Sequence, residues 1–217
     1  MVYRTSEKKQ MRFSVIMPSL LADYPNAAQN REGKLLRAVN SVLSQTFEDW
    51  ELRIVADGCE RTMDIIGDNV GDERVKTHLI PRSSRLWSGA PRNKGLEEAQ
   101  GDYIVYLDID DILGVNHLSN ISQGLHEYAW VWFDDIRYSV RTGQWYENPC
   151  RINKLGQHGT SNICHKTNLR VKWDHDGYAH DYYFVAQLRQ NSNFTKIGGA
   201  EYYVCHIPGK GANAYDL

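Results

Sequence analysis

Four strand-like runs constrain this chain more than any other feature: FSVIM at 13–17, stopped by Pro18, WELRIVA at 50–56, ending at Asp57-Gly58, VKTHLI at 75–80, ended by Pro81, and YIVYL at 103–107, running into Asp108. FSVIM, continuously apolar, and YIVYL read as buried strands, with WELRIVA and VKTHLI as the strands between them. Between the first two, KLLRAVNSVLSQ places Leu35, Leu36, Val39, Val42 and Leu43 on one helical face. Pro91 can open a further helix through GLEEAQ, which Gly101 stops. Strands alternating with helices predict an α/β fold with a Rossmann-like, mostly parallel central sheet flanked by helices. Ligands of such sheets bind beyond the carboxyl ends of the strands. Pro18-Ser19, Asp57-Gly58 and Asp108-Ile109-Asp110-Asp111 follow strands one, two and four, so three polar loops are expected to converge on one rim. The polar stretch from Asp23 to Gly33 reads as the loop leaving the first strand.

Beyond residue 115 the pattern loosens into a helix around HLSNISQGLHE, the strand WVWF, a hairpin turning at RTGQ, and a polar segment at 147–160. A helix near DYYFVAQLRQ and strands FTKI and EYYVCHI close the chain. A length of 217 residues, 41% hydrophobic and 24% charged, fits one domain over 1–217 with a full core. Its net charge of −2 lacks the basic field that nucleic acid binding needs. The four cysteines, Cys59, Cys150, Cys164 and Cys205, show no metal-type spacing, which fits a reduced, cytoplasmic compartment. The opening MVYRTSEKKQMR does not read as a signal peptide. No apolar run approaches the ~20 residues of a membrane helix, so membrane contact is expected to be peripheral.

Two carboxylates at i, i+2 on a strand end, Asp108 and Asp110, can turn toward one cation. Mg²⁺ or Mn²⁺ accepts such hard oxygen ligands and keeps positions open for phosphate oxygens. Asp is equally a common turn and cap residue, so the pair alone does not decide.

In order and spacing, FSVIMPS, AVNSVLSQTFEDWELRIVADG and PRNKGLEEAQGDYIVYLDIDD resemble glycosyltransferase family 2, closely over about 12–115 and loosely over 160–206. The resemblance implies a GT-A fold and an inverting, metal-dependent hexosyltransferase activity. A sugar would move from a nucleotide diphosphate, UDP by preference, to the hydroxyl of a glycan or other acceptor, in polysaccharide or glycan synthesis. Residues 12–115 would form the nucleotide-sugar half and 116–217 the acceptor and catalytic-base half. The family pattern puts Pro18 and Ser19 in the base pocket, Asp57 on the uracil ring, and Arg92 near the donor. Asp108-Ile109-Asp110 becomes the DxD motif, Asp108 contacting ribose or metal and Asp110 bridging a Mn²⁺ or Mg²⁺ ion to the diphosphate. His206 in EYYVCHIPGKG is the candidate third metal ligand. GYAHDYYFVAQLRQ resembles the family's G-x-x-E-D segment, making Asp181 the general base with His180 standing where the family has Glu. Asn93 reads as a loop-fixing residue. His158, His165, His175, Asp134 and Asp135 carry no stronger claim than surface or local hydrogen bonding. Two loops depart from the family pattern: 20–33, and DGCERT after the second strand.

Haloacid-dehalogenase phosphatases also place D-x-D after a buried strand, but near the chain start and followed by Gly-Thr; here Asp111-Ile112 follows. An EF-hand fails because its Gly and Glu positions hold Leu113 and Ser119. A nucleotidyltransferase would want a Gly-rich phosphate loop where PSLLADYPN stands. The remaining competitor is a sugar-nucleotide-binding domain without catalysis.

Overall fold

The computed structural model describes residues 11–22, 29–83, 87–125, 127–175, 177–191, 193–207 and 212–216. Strand β1 (Phe13–Ser19), helix α1 (Arg31–Leu43), β2 (Trp50–Asp57), α2 (Glu60–Asn69), β3 (Val75–Ile80), α3 (Gly89–Glu98) and β4 (Tyr103–Tyr106) make the alternating first half. There follow β5 (Ile112–Leu113), α4 (His117–Leu125), β6 (Trp130–Trp132), β7 (Asp135–Ser139), β8 (Gln144–Asn148) and β9 (Ile163–Lys166). The chain closes with α5 (His180–Asn191), β10 (Phe194–Lys196), β11 (Tyr202–Val204), β12 (His206–Ile207) and β13 (Ala212–Asn213).

The central sheet runs β10-β6-β9-β4-β1-β2-β3. Its β4-β1-β2-β3 half is parallel, and β9 is antiparallel to both β4 and β6. Side chains alternate across it as strand geometry requires. Phe13, Val15 and Met17 point into one layer with Leu35, Val39 and Val42 of α1, Ile65 and Ile66 of α2, and Leu118, Ile121 and Leu125 of α4. Ile16, Ile104 and Tyr106 point into the other with Phe184, Val185 and Leu188 of α5. Helix α3 crosses β1 closely at Gly95, where a Cβ would fall inside the Ile16 Cγ2 methyl. Gly95→Ala is therefore expected to overpack the core, lowering stability by ~1–3 kcal/mol, as denaturant midpoints would show.

Several expectations are corrected. Pro18 does not stop the first strand: β1 continues to Ser19 in register with β2. The β4 ladder ends opposite Ile16, so Pro18 has a free edge on that side, where its missing N–H costs nothing. Helix α1 starts before Gly33, with Asn30 as N-cap accepting from Gly33 N; residues 23–28 of the preceding loop lie outside the described residues. DGCERT is not all loop, since Glu60 opens α2 and seats Thr62, Ile65 and Ile66 inside. EYYVCHI breaks at Cys205 into β11 and β12. A second sheet, β5-β11-β7-β8, brings the end of the chain back to the residues after β4.

Candidate active site

The three polar strand ends do meet at one rim. In the parallel register Ser19 lies opposite Ala56, and Asp57 opposite Ile80. Leu107 N donates to Ile16 O, so Asp108 leaves β4 beside the end of β1. Pro18 and Ser19 are themselves buried, and the Ser19 hydroxyl is 2.9 Å from that of Thr62. Asp57 is 6% exposed. Its carboxylate accepts from Arg82 Nη1 at 2.9 Å and Ser83 N at 2.6 Å. Those two bonds fix its orientation and leave acceptor capacity for a further donor.

Asp108 to Asp111 form a turn closed by Asp111 N donating to Asp108 O at 3.1 Å. Ile109 packs its side chain toward the core, which leaves its backbone for any ligand. Asp111 is buried and ties this turn to the chain's end, accepting from the Tyr202 hydroxyl at 3.0 Å and Cys205 N at 2.8 Å. Burial and the neighbouring charges of Asp110 and Asp108 push the Asp111 carboxyl well up. The Asp110 carbonyl is gripped by Arg37 Nη2 at 2.8 Å and Asn213 Nδ2 at 3.0 Å.

Burial, then the charge of Asp108, also raises the Asp110 carboxyl, while His206 and Lys34 oppose the rise. His206 thus stands near enough to act on Asp110, exposed on β12. Crowded carboxylates of this kind suit a divalent cation, which would relieve their repulsion. Among the described residues no group of three or more His, Cys, Asp or Glu side chains closes around a metal position. The charges of Asp108 and His206 both act on Asp110, and any ion held at this turn would need oxygens from a phosphate ligand to complete its shell.

Arg92, 3% exposed, lies between this turn and the second half. Its Nη2 donates to Asp108 Oδ1 at 2.9 Å, and its guanidinium carbon sits 4.8 Å from the centre of a Trp173 ring. Nε and Nη1 are buried with no hydrogen-bond partner among the described residues. Two donors unmatched in so enclosed a position are what an anionic ligand would satisfy. Burial would lower the Arg92 pKa, yet the charges of Asp108 and then Asp181 hold it above the usual value. Asn93 fixes the loop as expected, exchanging bonds of 2.9 and 2.8 Å with the Trp173 backbone.

Asp181 sits in the first turn of α5. Its Oδ1 accepts from Thr160 Oγ1 at 2.6 Å and lies 3.2 Å from His180 Nε2. Burial pushes this carboxyl up, but His180, Arg92 and Thr160 together hold it below the ordinary carboxylate range. Thr160, His180, Asp111 and Arg82 were not singled out as contacts from the sequence. Thr160 and His180 touch Asp181, Arg82 touches Asp57, and Asp111 closes the turn through the Asp108 carbonyl; only the position of His180 beside Asp181 gave a signal. His165 is buried against Tyr106 and Asp135 against Arg137 and Asn148, so both are core groups rather than surface ones. A cavity of about 520 Å³ lies at the opposite end of β4, against Met11, Gly101 and Lys166, and has none of the rim carboxylates in its walls.

The fold and rim define an α/β transferase-like domain of the GT-A kind, with carboxylates from two halves facing a buried arginine. The chain belongs to glycosyl transferase family 2, whose model matches residues 27–188, and the phosphatase alternative falls with that match. An uncharacterized glycosyltransferase of Haemophilus influenzae is 36% identical over 107 residues, 48% of this chain and 38% of that protein. A GalNAc(5)-diNAcBac-PP-undecaprenol beta-1,3-glucosyltransferase of Campylobacter jejuni is 28% identical over 123 residues, 55% of this chain and 37% of that protein. The chain therefore spans less than half the length of these relatives. Among solved structures, S. aureus TarS 1–349 in complex with UDP-GlcNAc superposes with a TM-score of 0.69 at 19% identity, covering 95% of this chain and 61% of that one. A Pyrobaculum calidifontis mannosyltransferase with GDP-Man and Mn²⁺ gives 0.64 at 13%, covering 93% and 59%. At these identities the likeness is one of fold. No helix among the described residues is long and apolar enough to cross a membrane.

Proposed function

We propose that this chain transfers a sugar from a nucleotide diphosphate, UDP by preference, to the hydroxyl of a glycan acceptor, inverting the anomeric centre. The observation that carries this reading is the placement of buried Arg92 between the Asp108 turn and Asp181. It sets a cationic anchor for a diphosphate next to a carboxylate kept ionised for proton removal. Asp57, steadied by Arg82 and Ser83, accepts from the base, with Pro18 and Ser19 forming the floor beside it. Residues 12–115 hold the donor, and 116–217 supply the base and the acceptor side, with β11 and β12 returning to the donor rim.

Asp110 directly, with Asp108 and His206 at its flanks, would hold a Mn²⁺ or Mg²⁺ ion; when bound, that ion neutralises the departing diphosphate. Arg92 already occupies one oxygen of Asp108, which leaves Asp110 as the principal ligand. The relatives' names, among them a TarS described as a poly(ribitol-phosphate) beta-N-acetylglucosaminyltransferase, support a role in polysaccharide or glycan synthesis.

A panel of nucleotide sugars, each with and without Mn²⁺, should raise the apparent melting temperature for one nucleotide class, and most with metal present. At a hundredfold excess over Kd the gain is about 2.7 kcal/mol. A uniform null across the panel in a folded protein would sink the donor assignment, and donor hydrolysis or transfer measured on the same samples separates enzyme from binding domain.

A further inference from the structure

The peptide unit between Asp110 and Asp111 is held at both ends. Its N–H donates to Asp108 O at 3.1 Å. Its carbonyl accepts from two side chains far away in sequence, Arg37 Nη2 at 2.8 Å and Asn213 Nδ2 at 3.0 Å. Those donors are tied to one another, since Arg37 Nη2 also reaches Asn213 Oδ1 at 3.3 Å. The same Oδ1 accepts from Tyr215 N at 3.3 Å, and the Tyr215 ring covers the Arg37 guanidinium, with 4.8 Å between ring centre and guanidinium carbon. Asn213 is 1% exposed. An arginine and a backbone N–H can only donate and a carbonyl can only accept, so the Asn213 amide fits in one orientation.

The β12-β13 ribbon is thereby fastened to the turn through both of its sides. Just before β12, Cys205 N donates to Asp111 Oδ1 at 2.8 Å, and on β13 Asn213 holds Asp110. Asn213 pairs directly with His206, and residues so opposed in an antiparallel pair share a face. We infer that Asn213, with Arg37, is a positioning residue for the metal turn: it pins the 110–111 peptide, fixes the backbone from which the Asp110 carboxylate projects, and seats the ribbon carrying His206 against it. The inference rests on the reading of Asp110 as metal ligand. A planar peptide held by hydrogen bonds at both its N–H and its carbonyl cannot turn about its flanking bonds without breaking them, so the carboxylate keeps only its own side-chain torsions. Partners of this kind orient a ligand before the ion arrives, and losing them typically costs about 10–100-fold in metal affinity.

The test uses the full chain and reads UDP affinity by calorimetry, in EDTA and again with Mn²⁺. Asn213→Asp keeps the size of the side chain and its acceptance from Arg37 and Tyr215, but turns a carboxylate oxygen toward the Asp110 carbonyl. A negative charge acting only through space would strengthen Mn²⁺ binding. The clamp requires the opposite. The gain in UDP affinity on adding Mn²⁺ should shrink by about tenfold or more in Asn213→Asp and in Asn213→Ala. Affinity in EDTA should hold within a factor of about two, because Asp57 and Arg92 are untouched. Hydrogen exchange at the Asp111 amide should be slow in the wild type and faster in both variants. An undiminished Mn²⁺ gain in either folded variant would overturn the inference. So would a wild-type Asp111 amide exchanging as fast as an unstructured peptide, a measurement that reads the clamp even where a variant does not fold. No Mn²⁺ gain in the wild type, or a full gain in Asp110→Asn, would bring down the metal reading and this inference with it. A lost gain in Asp110→Asn beside an undiminished one in a folded Asn213 variant would bring down this inference alone.

Discussion

Asp181→Asn should lower kcat by about 10²–10⁴-fold, the usual contribution of a positioned general base, while leaving donor affinity within a factor of about two. The amide keeps the volume of the carboxylate and its oxygen can still accept from Thr160, so the helix start survives while the capacity to bind a proton is lost. Burial works against the charge on Asp181, and His180, Arg92 and Thr160 outweigh it. Its folded pKa is thus depressed below the unfolded value. The carboxylate stays ionised through mildly acidic pH, and both base function and its share of stability are lost only as pH falls through the depressed value. The acid limb of kcat/KM should accordingly lie below the ordinary carboxylate range and vanish in the variant. A base opposite the leaving diphosphate permits one in-line displacement, so an α-linked donor should give a β-linked product by proton NMR. An α-linkage, or an Asp181→Asn enzyme as fast as wild type, would take this residue out of the mechanism.

The carboxyl rim was legible because it follows from strand periodicity: strands ending at Ser19, Asp57 and just before Asp108 place those residues at the carboxyl edge of a parallel sheet. Helix α2 was hidden because its ten residues include Gly67 and seat only Thr62, Ile65 and Ile66 inside, too short a stripe to stand out from a loop. Strand β9 was hidden for another reason. ICHK is four residues long, and its place between β4 and β6 comes from antiparallel pairing with strands far away in sequence. The same non-locality conceals the site's supports. Thr160 reaches Asp181 across 21 residues, Asn93 reaches Trp173 across 80, and Asp111 reaches Cys205 across 94, none of which leaves a periodic trace. The candidacy of His206 came only from the resemblance; what the structure adds is that Asp111 bonds Cys205 N, the residue before it.

Asp110→Asn should abolish metal-dependent donor binding, since Arg92 takes an oxygen of Asp108 and Tyr202 and Cys205 take those of Asp111, which leaves Asp110 as the ligand of the turn. Removing outer partners of metal ligands already costs ~10–100-fold in affinity, and a directly bound carboxylate should cost at least that. The fold should not suffer. The Asp110 carboxyl is raised by burial and by Asp108, so above its unfolded pKa the ionised group costs stability, and a neutral amide relieves that cost. The variant without ligand should melt at or slightly above the wild-type temperature, which separates lost binding from lost folding. The grip of Arg37 and Asn213 on residue 110 is through its carbonyl, which the substitution leaves in place. Calorimetry with UDP and Mn²⁺ should therefore show no measurable heat in Asp110→Asn and a weaker but present signal in His206→Ala, because His206 stands exposed on the edge of a two-stranded ribbon. Wild-type affinity in a folded Asp110→Asn would defeat the metal assignment, and a larger loss in His206→Ala than in Asp110→Asn would make the imidazole, not the carboxylate, the principal ligand.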